Sequence, residues 1–214
     1  TLVQFNQQLE PGSLPPSLVS LKLVNYLKKL KPGIIPDTVQ TLYFNHEKRK
    51  SPLKDLIPPS VTRLYSFYRG AIRVPDSVTE LDIFFHKGTK IPDSVTTVKV
   101  FAYKTGVSML TPGFIPPSVT TLVLQNIFKT KPSSIPPTVK LLKFIHYLPE
   151  VVDIPDHTTH VEIVHFDEYD SPFARLPPNI TRLKLPNRHC LNPSAIPTSL
   201  RSLQIQGVYH LVGK

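Results

Sequence analysis

Three histidines, His157, His160 and His165, stand close together, and His146 lies one repeat before His165 in the same column. Imidazole nitrogens gathered in this way commonly hold zinc or copper. A tetrahedral site needs further donors, and no cysteine or carboxylate pair at metal-binding spacing supplies them. These histidines are therefore expected on the surface or in a structural ladder, with no metal and no cofactor. Glu80 and Asp82 are two residues apart, and paired carboxyls are the groups that glycoside hydrolysis uses. No acids answer them in adjacent repeats, and Arg63 and Lys99 are their expected ion-pair partners. The chain shows no nucleophile elbow, P-loop, dinucleotide fingerprint or HExxH motif. No catalytic residue is assigned and no enzyme activity is expected.

The remaining chemistry is that of surfaces. Phe67, Phe84 and Phe101 recur at one position of three adjacent repeats, with Tyr43 and Tyr65 nearby. Exposed, they would form an aromatic patch that anchors a partner; turned inward, they would fill short coils. Both readings stand at this point. The chain of 214 residues has a formal charge of +10, with Lys28, Lys29 and Lys31 in one cluster and Lys48, Arg49 and Lys50 in another. Such clusters are usually solvated loops; binding of nucleic acid or another polyanion is the alternative.

Composition bounds the class. Apolar residues make up 40% of the chain, too many for disorder. Proline is enriched at 24 residues against only 8 glycines, which argues against a flexible low-complexity chain. The single cysteine, Cys190, cannot form an internal disulfide, which fits a reducing compartment. No signal-peptide pattern is present, and no apolar run approaches the roughly 18 residues of a membrane-spanning helix. The expected location is intracellular, in a cytoplasm or host-cell cytoplasm, with no membrane partner.

The element that must position these side chains is a repeat. An aliphatic residue, Pro, Pro or Asp, Ser or Thr and another aliphatic recur ten times, with prolines at Pro15, Pro36, Pro58, Pro75, Pro92, Pro116, Pro136, Pro155, Pro177 and Pro197. The mean interval is about 20 residues, inside the range of leucine-rich repeats. Proline fixes its own φ and extends the residue before it. The short side chains that follow make a turn by bonding local backbone. An aliphatic three residues after the proline is expected to be buried. Six and eight residues after it comes a period-two pair, the mark of a short strand with one face inward. These pairs are Leu21 and Leu23, Leu42 and Phe44, Leu81 and Ile83, Val98 and Val100, Leu122 and Leu124, Leu142 and Phe144, Val161 and Ile163, Leu183 and Leu185, and Leu203 and Ile205. One copy departs, with Leu64 followed by Ser66.

A coil of about 20 residues with a proline in each copy leaves no room for a long helix. The expected fold is a leucine-rich-repeat-like solenoid, mostly β, with one parallel sheet on one side. Loops and short 3₁₀ turns lie on the other, with little or no α-helix. Residues 1–214 are read as a single domain of about ten repeats plus an N-terminal half repeat, with Thr1–Val3 as part of an earlier coil and the tail Val208–Val212 folding over the last. Ten residues after the proline, Asn25, Asn126 and Asn187 alternate with His46, His146 and His165 and with apolar residues. This column is expected to be a ladder of polar side chains serving the backbone.

The stretch Phe5–Ser17 resembles the FNIP repeat, a leucine-rich-repeat subclass with the pattern FNxxLxxGxIPxSVxxLxL, and Leu30–Pro36, Leu110–Pro116 and Leu191–Pro197 echo its later half. The Phe-Asn pair survives only at Phe5 and Asn6. The family is familiar from social amoebae and giant DNA viruses. The resemblance implies an intracellular, non-enzymatic protein-interaction module. Ubiquitin-ligase components enter as partners only through relatives that carry an F-box, and no F-box is seen here. The expected contact surface is the outward face of the strands, carried by Tyr43, Tyr65, Phe67, Asp82, Phe84, Lys99, Phe101, Lys143 and Lys184, for a protein partner of unknown identity.

Overall fold

The computed structural model describes residues 1–3, 5, 7–26, 28–45, 56–68, 70–102, 109–126, 129–130, 133–146, 154–166, 176–186 and 196–206; of these, the side chains of Met109, Lys129, His146, His165, Phe166 and Gln206 are not described. The chain forms two compact units, Thr1–Phe101 and Ala102–Lys214. In the first, strands β1 (Leu2–Val3), β2 (Ser20–Val24), β3 (Thr41–Asn45), β4 (Arg63–Ser66), β5 (Glu80–Phe84) and β6 (Thr97–Phe101) pair in parallel, each with the next. In the second, β7 (Met109–Leu110) pairs in parallel with β9 (Lys129–Thr130). There β8 (Thr121–Gln125), β10 (Leu141–His146), β11 (His160–Phe166), β12 (Arg182–Pro186) and β13 (Ser202–Gln206) form a parallel sheet in that order. Register follows the repeat: Leu21 stands opposite Leu42, Leu42 opposite Leu64, Leu122 opposite Leu142, and Leu183 opposite Leu203. Leu2 pairs with Leu23, so Thr1–Val3 does carry a strand of an earlier coil.

The proline turn is built the same way throughout. In all ten copies the proline carbonyl accepts the N–H three residues on, from Leu18 onto Pro15 through to Leu200 onto Pro197. The hydroxyl of the motif is expected from sequence to bond its own turn, but in several copies it reaches the coil before. Ser60 donates to the Val39 carbonyl, Ser77 to Val61, Ser94 to Val78, Thr138 to Val119 and Ser199 to Ile180, at 2.7–3.0 Å. Where His157 takes the hydroxyl's place, Thr158 enters the buried column and donates to Val139 instead. Stacking coils thus satisfy carbonyls that a lone coil would leave to water.

The inward pairs are buried in both units: Leu21, Leu23, Leu42, Phe44, Leu64, Leu81, Ile83, Val98 and Val100 in the first, Leu122, Leu124, Leu142, Phe144, Val161, Ile163, Leu183 and Leu185 in the second. So is the column three residues after the proline, from Val39 to Ile180. Two expected core residues depart. Leu203 is 44% and Ile205 52% exposed. They hold the register of the column, but β13 is the last strand of its sheet and meets a described neighbour, β12, on one side only. An inward side chain needs a coil on both sides to lose its water. The tail Val208–Val212 and Cys190 lie outside the described residues. Ser66 is buried, its Oγ finds no hydrogen-bond partner among the described residues, and it borders a small apolar void with Leu42, Phe44 and Leu64.

The return arcs carry turns and bends, and among the described residues neither 3₁₀ nor α-helix occurs. The expected short 3₁₀ turns are replaced by Pro-Gly turns: Ser13 N–H bonds Glu10, Ile34 bonds Lys31 and Phe114 bonds Thr111. The central glycines Gly12, Gly33 and Gly113 have φ of 80–85°, as a type II turn requires. Ser133 takes the same place with φ 60°. The asparagine column also differs from the expected ladder. Asn25 and Asn126 adopt φ of 54° and 57° immediately after their strands, and their backbone N–H groups bond the next coil at Asn45 and Ile145. The Asn126 side-chain oxygen is buried without a partner among the described residues. Asparagine is used here because it tolerates the left-handed conformation. His46, Asn187 and Gly207 lie outside the described residues.

Candidate functional site

Alternation along a strand sends residues five, seven and nine after each proline to the face opposite the core. In the first unit the parallel register converts this into a grid. Tyr43 lies beside Tyr65, Tyr65 beside Asp82, Asp82 beside Lys99, and Phe84 beside Phe101. Phe67 follows β4 directly, its N–H bonded to the Phe44 carbonyl.

The rings gather on this outward face and on one another. Phe67 has its centroid 5.4 Å from Tyr43, 5.9 Å from Phe84 and 5.0 Å from Phe101; Phe84 and Phe101 are 5.7 Å apart, and Tyr43 and Tyr65 6.5 Å. Spacings and tilts of this kind suit aromatic quadrupoles. Phe101 is buried, while Tyr43, Tyr65, Phe67 and Phe84 keep part of their surface in water. The short coils are filled instead by Tyr68, Ile72 and Val74.

Charged groups border the rings. The ammonium of Lys22 lies 4.5 Å from the centroid of Tyr43, and that of Lys99 4.5 Å from Phe101, each contact contributing about 0.5–1 kcal/mol at an exposed site. The Tyr65 hydroxyl donates to Glu80 Oε1 at 2.7 Å. Burial, then this bond, pushes the phenol up to about 12. Burial likewise pushes the Asp82 carboxyl up to about 6; Lys99 pulls it down and Glu80 adds to the rise. The expected Asp82–Lys99 and Glu80–Arg63 ion pairs do not form among the described residues. Lys99 rests on a ring, and Glu80 is engaged by Tyr65.

Lys143 and Lys184 belong to the second unit, apart from the ring cluster. There Lys143 pairs with Glu162 at 3.1 Å, and Glu162 is in register with Lys184. His160 accompanies Arg182 in register; partial burial, then Arg182, depresses its basicity. Among the described residues no three His, Cys, Asp or Glu side chains converge to hold a metal. No described helix is long and apolar enough to cross a membrane. Sequence reading left Lys22 and Glu80 out of the site. Lys22 was visible as an outward residue, but no pattern marks a lysine that will rest on a neighbouring tyrosine.

The FNIP Repeat family model matches residues 5–47 and, overlapping, 26–65. No curated protein matches the sequence. A giant-virus protein whose structure is titled "The crystal structure of CroV588 a novel circular LRR protein structure" is similar, with a TM-score of 0.70 at 20% identity over 95% of this chain and 32% of that one. The chain thus spans about a third of that protein's length. At this identity the likeness is one of fold. FNIP repeats are thus matched over residues 5–65, and along nearly its whole length the chain shares a leucine-rich-repeat-like parallel solenoid fold with that protein.

Proposed function

We propose that the chain is a non-enzymatic protein-interaction scaffold whose docking surface is the outward sheet face of the first unit. Repeat folds of this kind generally mediate protein contacts through an exposed face. The observation that carries the reading is the cluster of Tyr43, Tyr65, Phe67 and Phe84 on the side of the sheet away from the core. The core needs none of these rings. Aromatic anchors grouped on a face with a charged rim are the usual hot spots of interfaces.

The test is capture from native lysate by the intact chain and by the double variant Phe67→Ser, Phe84→Ser, compared by quantitative mass spectrometry. The expected result is a defined set of proteins held by the wild type, modestly sensitive to salt, and depleted with the variant. An identical set with both would remove the rings from the interface. Retention of nucleic acid alone, falling steeply with salt, would favour the polyanion reading of the +10 charge.

A further inference from the structure

We infer that the centre of this face is a subsite for a cationic side chain, an arginine or lysine carried by the protein partner. The inference rests on the docking face proposed above and names the chemistry it selects. Asp82 is the middle residue of the grid. Tyr65 and Lys99 flank it on the neighbouring strands, and Glu80 and Phe84 precede and follow it on its own face. Arg63 and Phe67 stand at the diagonals. Among the described residues its carboxylate makes no ion pair and no hydrogen bond. Desolvation without a partner is the costly state for a carboxylate, and here it is the largest influence on the group.

Lys99, the cation nearest in register, stands over the Phe101 ring instead. Lys22 does the same over Tyr43. Both ends of the cluster thus demonstrate that its ring faces take up alkylammonium groups. A partner guanidinium laid over Tyr65 and Phe67 would meet the same faces and also give Asp82 the direct ion-pair contact that Lys99, resting on Phe101, does not make, with Glu80 beside it. The surroundings sharpen the selectivity. A chain with a net charge of +10 repels basic peptides in general, so attraction of one requires a local acidic site.

The experiment uses the whole chain and two probes, blocked hexapeptides of alternating Gly with Arg and Gly with Glu. Binding is read by titration calorimetry, and the Asp82 side-chain carboxyl by carbon-13 NMR across pH. The Arg peptide is expected to bind in preference to the Glu peptide and to lower the Asp82 midpoint from about 6. Asp82→Asn should weaken binding roughly tenfold and Glu80→Gln by less, with both variants checked for an unchanged fold. An unmoved Asp82 resonance, equal binding of the Glu peptide, or wild-type affinity in Asp82→Asn would overturn the subsite. If that happens while Phe67→Ser, Phe84→Ser still empties the captured set, the subsite alone falls and the docking face stands.

Discussion

In the first unit the outward positions seven and nine residues after the proline read Lys22, Tyr43, Tyr65, Asp82, Lys99 and Val24, Asn45, Phe67, Phe84, Phe101; in the second they read Val123, Lys143, Glu162, Lys184, Gln204 and Gln125, Ile145, Val164, Pro186, Gln206. The inward columns of the two units are close to interchangeable, aliphatic with one phenylalanine each, save for Ser66 in the first. One proline turn, one hydroxyl bond to the previous coil and one register serve both. The backbone therefore imposes no difference between the outer faces. One gathers rings, and the other alternates charge through the Lys143–Glu162 pair. Three of the five rings, Tyr65, Phe67 and Phe84, lie in the two coils of 17 residues between Pro58 and Pro92. The solenoid constrains what points in and leaves free what points out, so specificity belongs to the outer columns.

If the inner columns are equivalent, matched truncations should cost the same. Leu81→Ala in the first unit and Leu122→Ala in the second each remove a fully buried side chain and should each lose about 2–5 kcal/mol, measured by urea unfolding. A loss near 0.5 kcal/mol at one site and full cost at the other would break the equivalence. The exception is already visible at Ser66, where the first unit buries an unpaired hydroxyl beside an apolar void. Ser66→Val should raise stability by about 1 kcal/mol, whereas the matching inward positions of the second unit, already apolar, offer no such gain.

Asp82 gives the outer face of the first unit a pH signature. Its folded pKa, about 6, lies above the usual value near 4. The folded state therefore binds more protons than the unfolded one between those limits, and stability falls as pH rises through that window. Asp82→Asn should remove this loss. With the group partly solvated, the expected gain is about 1 kcal/mol at pH 7.5, or about 2–4 °C in melting temperature, and little at pH 4. A variant no more stable than wild type at pH 7.5 would refute the desolvation of Asp82.

The return arcs offer a smaller test. Gly12, Gly33 and Gly113 supply the positive φ of their turns, while Ser133 adopts φ 60° with a Cβ in place. Ser133→Gly should stabilise by about 0.5–1 kcal/mol. Gly33→Ala should lose about 1 kcal/mol from conformation alone, since nothing lies within 4 Å of a Cβ added there.

The inner columns were legible in the sequence because proline marks the turn and a period of two marks the strand. Once stacking is granted, those marks fix the register and hence the outward grid. What the sequence left open depends on distances between coils. Ser77 and Thr138 announce a hydroxyl at a turn, but whether it bonds its own turn or the previous coil depends on their offset. Phe67 stands where the strand ends, so parity alone does not decide its side. Lys99 had both Asp82 and an aromatic within reach, and composition favours the carboxylate where the geometry favours the ring. Leu203 and Ile205 carry the pattern of buried residues without a described neighbour on their far side. Pattern reports which way a side chain points; burial also needs something to cover it.

The smallest expected effect separates the two outer faces by the forces that hold them. Lys143 and Glu162 are about 30% exposed and 3.1 Å apart. A double-mutant cycle through Lys143→Met and Glu162→Gln should give a coupling of about 0.5 kcal/mol, fading between 0.05 and about 1 M salt as screening shortens. The same cycle on Phe67 and Phe101 in the first unit, 5.0 Å between centroids, should give about 0.5–1.5 kcal/mol with no such fading, because ring contacts carry no net charge. A ring coupling that vanished with salt would mean that Lys22 and Lys99, rather than the packing of the rings, hold the aromatic face together. The contrast between the units would then be one of sign pattern alone.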